Sequence, residues 1–207
     1  IGDVVPTRIV RSGSGNTLPD SAPEFTTLAT VYEINLRVEE AYIGRKPDLT
    51  VLPRPEDKAL AIQNLEDFWK KFIEFEAYLH SLADPTEGGD DRRKEIRKGS
   101  VACKPIVQRV LAEVILELQC GADGEEMLDP EETVSRLNTL DWSPENPLWQ
   151  GILLNGNKVI AGASPLKLAS RMIAYMLGQS LEALEVKKLE EAFKENNPDR
   201  EFPDRAF

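Results

Sequence analysis

SVACKPIVQRVLAEVILELQC, residues Ser100 to Cys120, decides the fold. Its apolar residues Ile106, Val107, Val110, Leu111, Val114, Ile115 and Leu118 recur as neighbouring pairs at every fourth position. That is the stripe of an α-helix, not the alternation of a strand. Ala112 and Leu116 widen the stripe until little of the helix is left to face water, which predicts a buried central helix. Immediately upstream, DDRRKEIRK (Asp90–Lys98) is the one dense basic cluster of an otherwise acidic chain. A core helix with a positive entrance is therefore the predicted organising feature.

The chain has 207 residues, enough for one large domain or two small ones with a proper core. Hydrophobic residues make up 41% and charged residues 29%, the composition of a globular chain and not of a disordered one. No apolar run approaches the ~18 residues that span a bilayer, so no membrane attachment is expected. Ile1 is not a start methionine, and IGDVVPTRIVRSGSG lacks the apolar core of a leader. The sequence reads as the middle of a longer polypeptide, with part of its function expected elsewhere. Cys103 and Cys120 lie 17 positions apart on one predicted helix, about 25 Å and far beyond disulfide reach. Both are expected to be small buried hydrophobes in a cytoplasmic protein.

Outward from the central helix, residues 1–22 read as an irregular lead-in, 23–196 as the helical domain and 197–207 as a loose or lightly docked tail. A first helix is predicted from Pro23 to Ile43, with Phe25, Leu28, Tyr32, Leu36 and Tyr42 inward and Gly44 as its stop. Three prolines make KPDLTVLPRP (Lys46–Pro55) a loop. A second, long helix from Glu56 to Leu82 carries the aromatic face Leu65, Phe68, Trp69, Phe72, Phe75, Leu79 and Leu82. DPTEGG (Asp84–Gly89) breaks the chain before the basic cluster. Beyond the central helix, Asp129 as cap, Pro130 at the first position and Glu131 and Glu132 in the first turn start a short helix burying Val134, Leu137 and Leu140. ILLNGNKVIA (152–161) is a small β-hairpin turning on Asn155–Gly156. Ser164–Pro165 opens a helix that buries Leu168, Met172, Ile173 and Met176. Ser180 is predicted to cap the last helix, with Leu181, Leu184, Leu189 and Phe193 inward. The predicted class is mainly α, about six helices and one hairpin.

Catalytic constellations are hard to assemble. The only histidine, His80, sits beside Leu79 with no nucleophile elbow nearby. One histidine and two distant cysteines leave zinc without its usual ligands. SGSGN (Ser12–Asn16) lacks the Lys-Ser/Thr ending and preceding strand of a phosphate loop. Glu185-Val186-Lys187 resembles a nuclease fragment but lies on a surface helix. Glu125, Glu126 and Asp129 could serve a magnesium site, yet helix starting and solvation explain them more simply. No catalytic residue, metal or cofactor is predicted, and the chain is not expected to be an enzyme.

The basic cluster offers more. Arg92, Arg93, Lys94, Arg97, Lys98, Lys104 and Arg109 oppose only Glu95, a local charge of +6. Arg93 with Arg97, and Lys94 with Lys98, stand at helical i, i+4 spacing, two parallel rows of cations suited to a sugar–phosphate backbone. The alternative is a solvated face neutralised by neighbouring acids. A net charge of −11 argues against a nonspecific polyanion binder but not against a local patch acting within a short Debye length.

DWSPENPLWQG (141–151), the hairpin after it and the serine-started helix ending in LGQSLEALEVKKLEEAF resemble the C-terminal part of the DNA sulfur modification protein DndB family. FTTLATVYEIN (25–35) and KGSVACKPIVQRVLAEVI (98–115) resemble two further helices of that family, so the likeness runs from about Phe25 to Phe193. Asp141, Trp142, Ser143, Asn146, Pro147 and Trp149 form its most specific piece. The family works beside enzymes that exchange a non-bridging phosphate oxygen of DNA for sulfur, and its members are regarded as DNA-binding regulators. Its Asp-Gly-Gln-His-Arg hallmark, in an N-terminal ParB-like domain, is missing here, so activity seated on that motif is not expected of these residues. The resemblance implies a C-terminal fragment or a relative lacking that domain. It implies an accessory or regulatory protein of bacterial DNA phosphorothioation, with DNA and other proteins of that system as partners. A protein–protein or self-association module without DNA contact, including a homo-oligomer, is the alternative. The Asp141–Trp149 segment is expected to be a structural clasp, with a binding groove as the alternative: its prolines stiffen the chain and its tryptophans can each bury roughly 200 Å².

Overall fold

A computed structural model describes residues 4–5, 10–13, 15, 17–19, 21–74, 89–120 and 128–205. Among these the chain forms seven α-helices: α1 (Leu28–Ile43), α2 (Pro55–Glu74), α3 (Gly89–Gly99), α4 (Pro105–Cys120), α5 (Pro130–Leu137), α6 (Ala163–Met176) and α7 (Ala183–Asn196). Two-residue strands complete it: β1 (Val10–Arg11), β2 (Thr26–Thr27), β3 (Leu154–Asn155) and β4 (Lys158–Val159).

The stretch from Ser100 divides in two. Val101–Cys103 is a 3-10 turn capped by Ser100, whose Oγ accepts from the Ala102 N–H at 3.2 Å. Pro105 then opens α4, where its missing N–H costs no helical hydrogen bond. The basic segment is thus a separate helix, α3, and this division raises the expected six helices to seven. The break also corrects the placing of both cysteines on one helix: Cys103 is a buried thiol in the 3-10 turn.

Helix α4 lies between α1 and α6 and also touches α5. Val107, Val110, Leu111, Val114, Ile115 and Leu118 are all buried along it. Gln108 is the polar exception, and its Nε2 donates to the Phe25 carbonyl at 3.2 Å. Phe68, Trp69 and Phe72 of α2 close one side of the core, with Trp69 Nε1 donating to Asn35 Oδ1 at 2.8 Å. Phe75, Leu79, His80 and Leu82 lie outside the described residues, as do Glu125 and Glu126.

Helix α1 starts five residues later than Pro23, with Thr27 as its cap, and buries a different face from the expected one. Thr30, Val31, Ile34 and Val38 turn inward, whereas Leu28, Tyr32 and Tyr42 are half-exposed. The helix carries two apolar stripes, and the narrower β-branched one packs on α4. Gly44 ends it in the left-handed conformation at φ 73°, with its N–H on the Glu40 carbonyl. At the other end of the chain, α7 begins at Ala183 through a Glu182/Glu185 capping box, so Ser180 is not its cap. Leu184 is exposed, while Leu189 and Phe193 are buried. Asp129 and Pro130 start α5 as predicted, with Asp129 Oδ1 accepting from the N–H groups of Glu131 and Glu132. The hairpin pairs Leu154 with Val159 and Asn155 with Lys158.

The described residues of the lead-in and of the tail are tied down more firmly than their composition implies. Val10–Arg11 pairs in parallel with Thr26–Thr27, and Val5, Leu18 and Ala22 are buried. In the tail, Asn197 is buried, and Arg200 donates to the Gln150 carbonyl at 2.6 Å while lying over the Phe193 ring. Phe202 packs edge-on to Phe193, 5.8 Å between centroids.

Candidate functional site

The seven cations of the basic segment do not form one surface. Arg97 has no exposure at all; its guanidinium reaches inward and donates to the carbonyls of Ala22 at 3.1 Å and Pro19 at 3.3 Å. Arg93 donates to the Pro23 carbonyl at 3.1 Å and is paired with Asp90. The Arg93/Arg97 row therefore faces the lead-in and not solvent, which corrects its assignment as a row of phosphate contacts. Each turn of α3 that meets residues 19–23 spends a guanidinium on satisfying irregular backbone carbonyls, a structural duty that helical spacing alone does not distinguish from ligand contact.

The second row, Lys94 and Lys98, is outward. Lys94 binds Asp91 at 2.9 Å, and that contact pushes the Asp91 carboxyl below its ordinary range and the Lys94 ammonium above its own. Arg109 leaves the segment altogether: on α4 it meets Glu33 of α1 at 2.5 Å. Lys104 is half-buried beside the 3-10 turn, while Arg92 and Lys98 are exposed.

The Asp141–Trp149 segment sets its two tryptophans into the core and leaves Asp141, Glu145 and Pro147 exposed. Trp142 and Trp149 stack with centroids 4.6 Å apart and planes 13° from parallel, both buried. Trp142 Nε1 donates to the Leu137 carbonyl at 3.0 Å, Trp149 Nε1 to the Asp141 carbonyl at 2.9 Å. Asp141 Oδ1 accepts the Ser143 N–H at 2.9 Å. Asn146 caps the 3-10 turn Pro147–Trp149, its Oδ1 accepting from Leu148 at 3.0 Å and its Nδ2 donating to the Asp141 carbonyl at 2.7 Å. The Trp142 carbonyl in turn accepts the Val101 N–H at 2.9 Å, so this segment fastens the entrance of α4.

What stands open lies elsewhere. A groove of about 730 Å³ runs between α1, α4 and α6, with an apolar floor of Ile34, Leu36, Val110 and Leu166. Its charged wall is already neutralised: Arg37 grips both oxygens of Glu113, at 2.5 and 2.7 Å, and also binds Glu40. Those carboxylates raise the Arg37 pKa further above its ordinary value. Deeper in, burial pushes the Glu117 carboxyl up from its ordinary 4.5, against the opposing pull of Arg171 at 3.9 Å. Glu117 Oε2 finds no hydrogen-bond partner among the described residues.

Beside this groove an apolar edge projects into solvent. Lys46, Pro47 and Leu49 form the groove's rim, and the chain then passes through Val51 and Leu52 to α2. The loop has its own scaffold: Asp48 Oδ1 accepts the Thr50 N–H at 2.9 Å and hydroxyl at 2.6 Å, while Arg54 pairs with Asp57 at 2.9 Å. Every residue from 51 to 60 is exposed, so the first turns of α2 extend beyond the body. Leu52 is 92% exposed. Among the described residues, nine of the ten exposed large hydrophobics fall between Leu28 and Ile62; Leu184 is the tenth. Helical periodicity cannot flag this edge. The available signal was Leu49, Val51 and Leu52 standing in a proline-rich loop that has no helical face on which to bury them.

No helix among the described residues is long and apolar enough to cross a membrane, and none of their His, Cys, Asp and Glu side chains cluster in a way that could hold a metal ion. Fold and surface together define a mainly helical protein whose most conspicuous open feature is an exposed apolar edge beside a charge-neutralised groove. Residues 14–180 match the DndB family, described as DNA-sulfur modification-associated, and the chain belongs to that family. Searches of the curated proteins and of the solved structures found no match.

Proposed function

We propose that this chain is a non-catalytic accessory component of a DNA sulfur modification system, working in the cytoplasm by docking onto protein through its α1–α2 edge. Family membership supports the system. The observation that carries the docking mode is the concentration of exposed large hydrophobics between Leu28 and Ile62. Soluble monomers rarely leave apolar patches larger than a few hundred Å² in water unless something covers them. The test is binding of the purified chain to the other proteins of its modification system, compared with a Leu49→Asp/Leu52→Asp variant. Loss of binding in a variant that still melts normally supports docking; a variant that keeps this binding and its self-association undiminished refutes it.

Direct contact with DNA is the second reading, favoured by the exposure of Arg92 and Lys98 on α3. The charged side chains of α3 other than the buried Arg97 are four cations and three acids, so the local field there is weak. Fluorescence anisotropy with labelled duplex at two salt concentrations tests it: salt-dependent binding that falls on Arg92→Ala/Lys98→Ala supports DNA contact, and no binding at low salt removes it.

A further inference from the structure

We infer that the occupant of the apolar edge is a second copy of this chain, the two copies meeting about a two-fold axis. The inference rests on the docking reading and names its partner.

Size gives the first reason. A large side chain that is half-exposed presents roughly 100 Å², judged from the 150–250 Å² that an aromatic ring buries in full. Nine such side chains between Leu28 and Ile62 offer about 900 Å² in sum, of the order of the ~800 Å² that each partner contributes to a standard interface.

Charge gives the second. Residues 28–62 hold five cations and six acids, a net −1, whereas the whole chain carries −11. Outside this edge the chain carries −11 − (−1) = −10, with residues 90–109 its one basic stretch, so the near-neutral edge can meet its own copy with little repulsion. Its charges are also mixed: Arg45, Lys46, Arg54 and Lys58 alternate with Asp48, Glu56 and Asp57. A face with both signs in nearly equal number can complement itself across a two-fold axis, as an isologous interface requires.

Shape gives the third. The projecting tip, Val51–Leu52, stands two residues beyond Leu49, which lines the groove floored by Ile34, Leu36, Val110 and Leu166. Knob and hole therefore adjoin on one molecule. An axis passing between them sets each copy's tip into its partner's groove, and the contact closes at two copies instead of propagating.

Sedimentation equilibrium of the full chain over a concentration series tests this, with Leu52→Asp at the tip and Ala163→Trp at the groove rim as variants. Ala163 is exposed where it lines the groove, so both changes leave the core intact, and thermal melting verifies the fold. A dimer is expected, and each variant should raise its dissociation constant on the order of tenfold or more while matching wild type in melting temperature at dilutions where both are monomeric. A wild-type chain that stays monomeric overturns the inference, and so does a dimer indifferent to Leu52→Asp. The two proposals are separable, because binding to the other modification proteins is read independently. A monomer whose binding to them is lost on Leu49→Asp/Leu52→Asp keeps the docking reading and discards self-association. A monomer whose binding is untouched discards both.

Discussion

Replacing Arg97 by alanine separates a structural arginine from a nucleic-acid contact more sharply than any other single change. The side chain has no solvent exposure, and its guanidinium holds the carbonyls of Ala22 and Pro19. Pro19 retains the Ala22 N–H at 2.9 Å, so the Ala22 carbonyl loses most. Leaving one buried acceptor bare costs about 1–3 kcal/mol. Removing two buried methylenes of the stem, Cγ and Cδ, costs about 1.6 kcal/mol more. Relief from desolvating a charge works in the opposite direction, which sets the net loss near ~3 kcal/mol. That is a large share of a total stability of about 5–15 kcal/mol and corresponds to roughly 10 °C in Tm for a chain of this length. Arg97→Met keeps most of the stem and should lose about 1 kcal/mol. Lys98→Ala, one residue away on the exposed face, should stay within about 0.5 kcal/mol. Urea denaturation followed by tryptophan fluorescence measures all three, and amide exchange at residues 17–23 should quicken in Arg97→Ala. An Arg97→Ala variant as stable as Lys98→Ala would falsify the inward placement and return Arg97 to the surface.

Trp149→Ala should destabilise by about 3–5 kcal/mol, since the ring is fully buried against Trp142 and anchors its own N–H; a melting temperature barely moved would mean that the ring faces solvent. Gly151→Ala should cost about 2–3 kcal/mol: its φ is 77°, and an added Cβ would come within 2.4 Å of the buried Asn197 side chain. Wild-type stability at this position would show that the tail does not pack there. Glu117 yields a pH prediction. Burial raises its native pKa above the unfolded 4.5, so the native state binds the extra proton and this contribution to stability declines as pH rises from 4.5 through the raised value. Glu117→Gln should therefore gain on wild type as pH increases from 4 to 7 in thermal melts, and parallel pH profiles would rule the shift out.

Much of the architecture was legible in local chemistry. Ser100–Cys120 announces a buried helix because apolar pairs at every fourth position leave it no wet face, and Asp129–Pro130 announces a helix start because cap and N1 residues satisfy orphan donors on the spot. Asn155–Gly156 fixes the hairpin for the same local reason. The cationic cluster was legible only as composition. Its spacing could not say whether Arg93 and Arg97 point toward a phosphate or toward the carbonyls of Pro19, Ala22 and Pro23, which lie some 70 residues away in the chain.

What the sequence by itself determined is the helical class, the Asp129–Pro130 helix start, the Gly44 stop and the Asn155–Gly156 turn, all of which arise from interactions spanning a few residues. Tertiary structure alone decided which stripe of α1 became core, which cations turned inward and where apolar surface was left over. Those outcomes depend on what each face meets: α4 accepts the slim Val31–Ile34–Val38 ridge, and Leu28, Tyr32 and Leu52 are left in water.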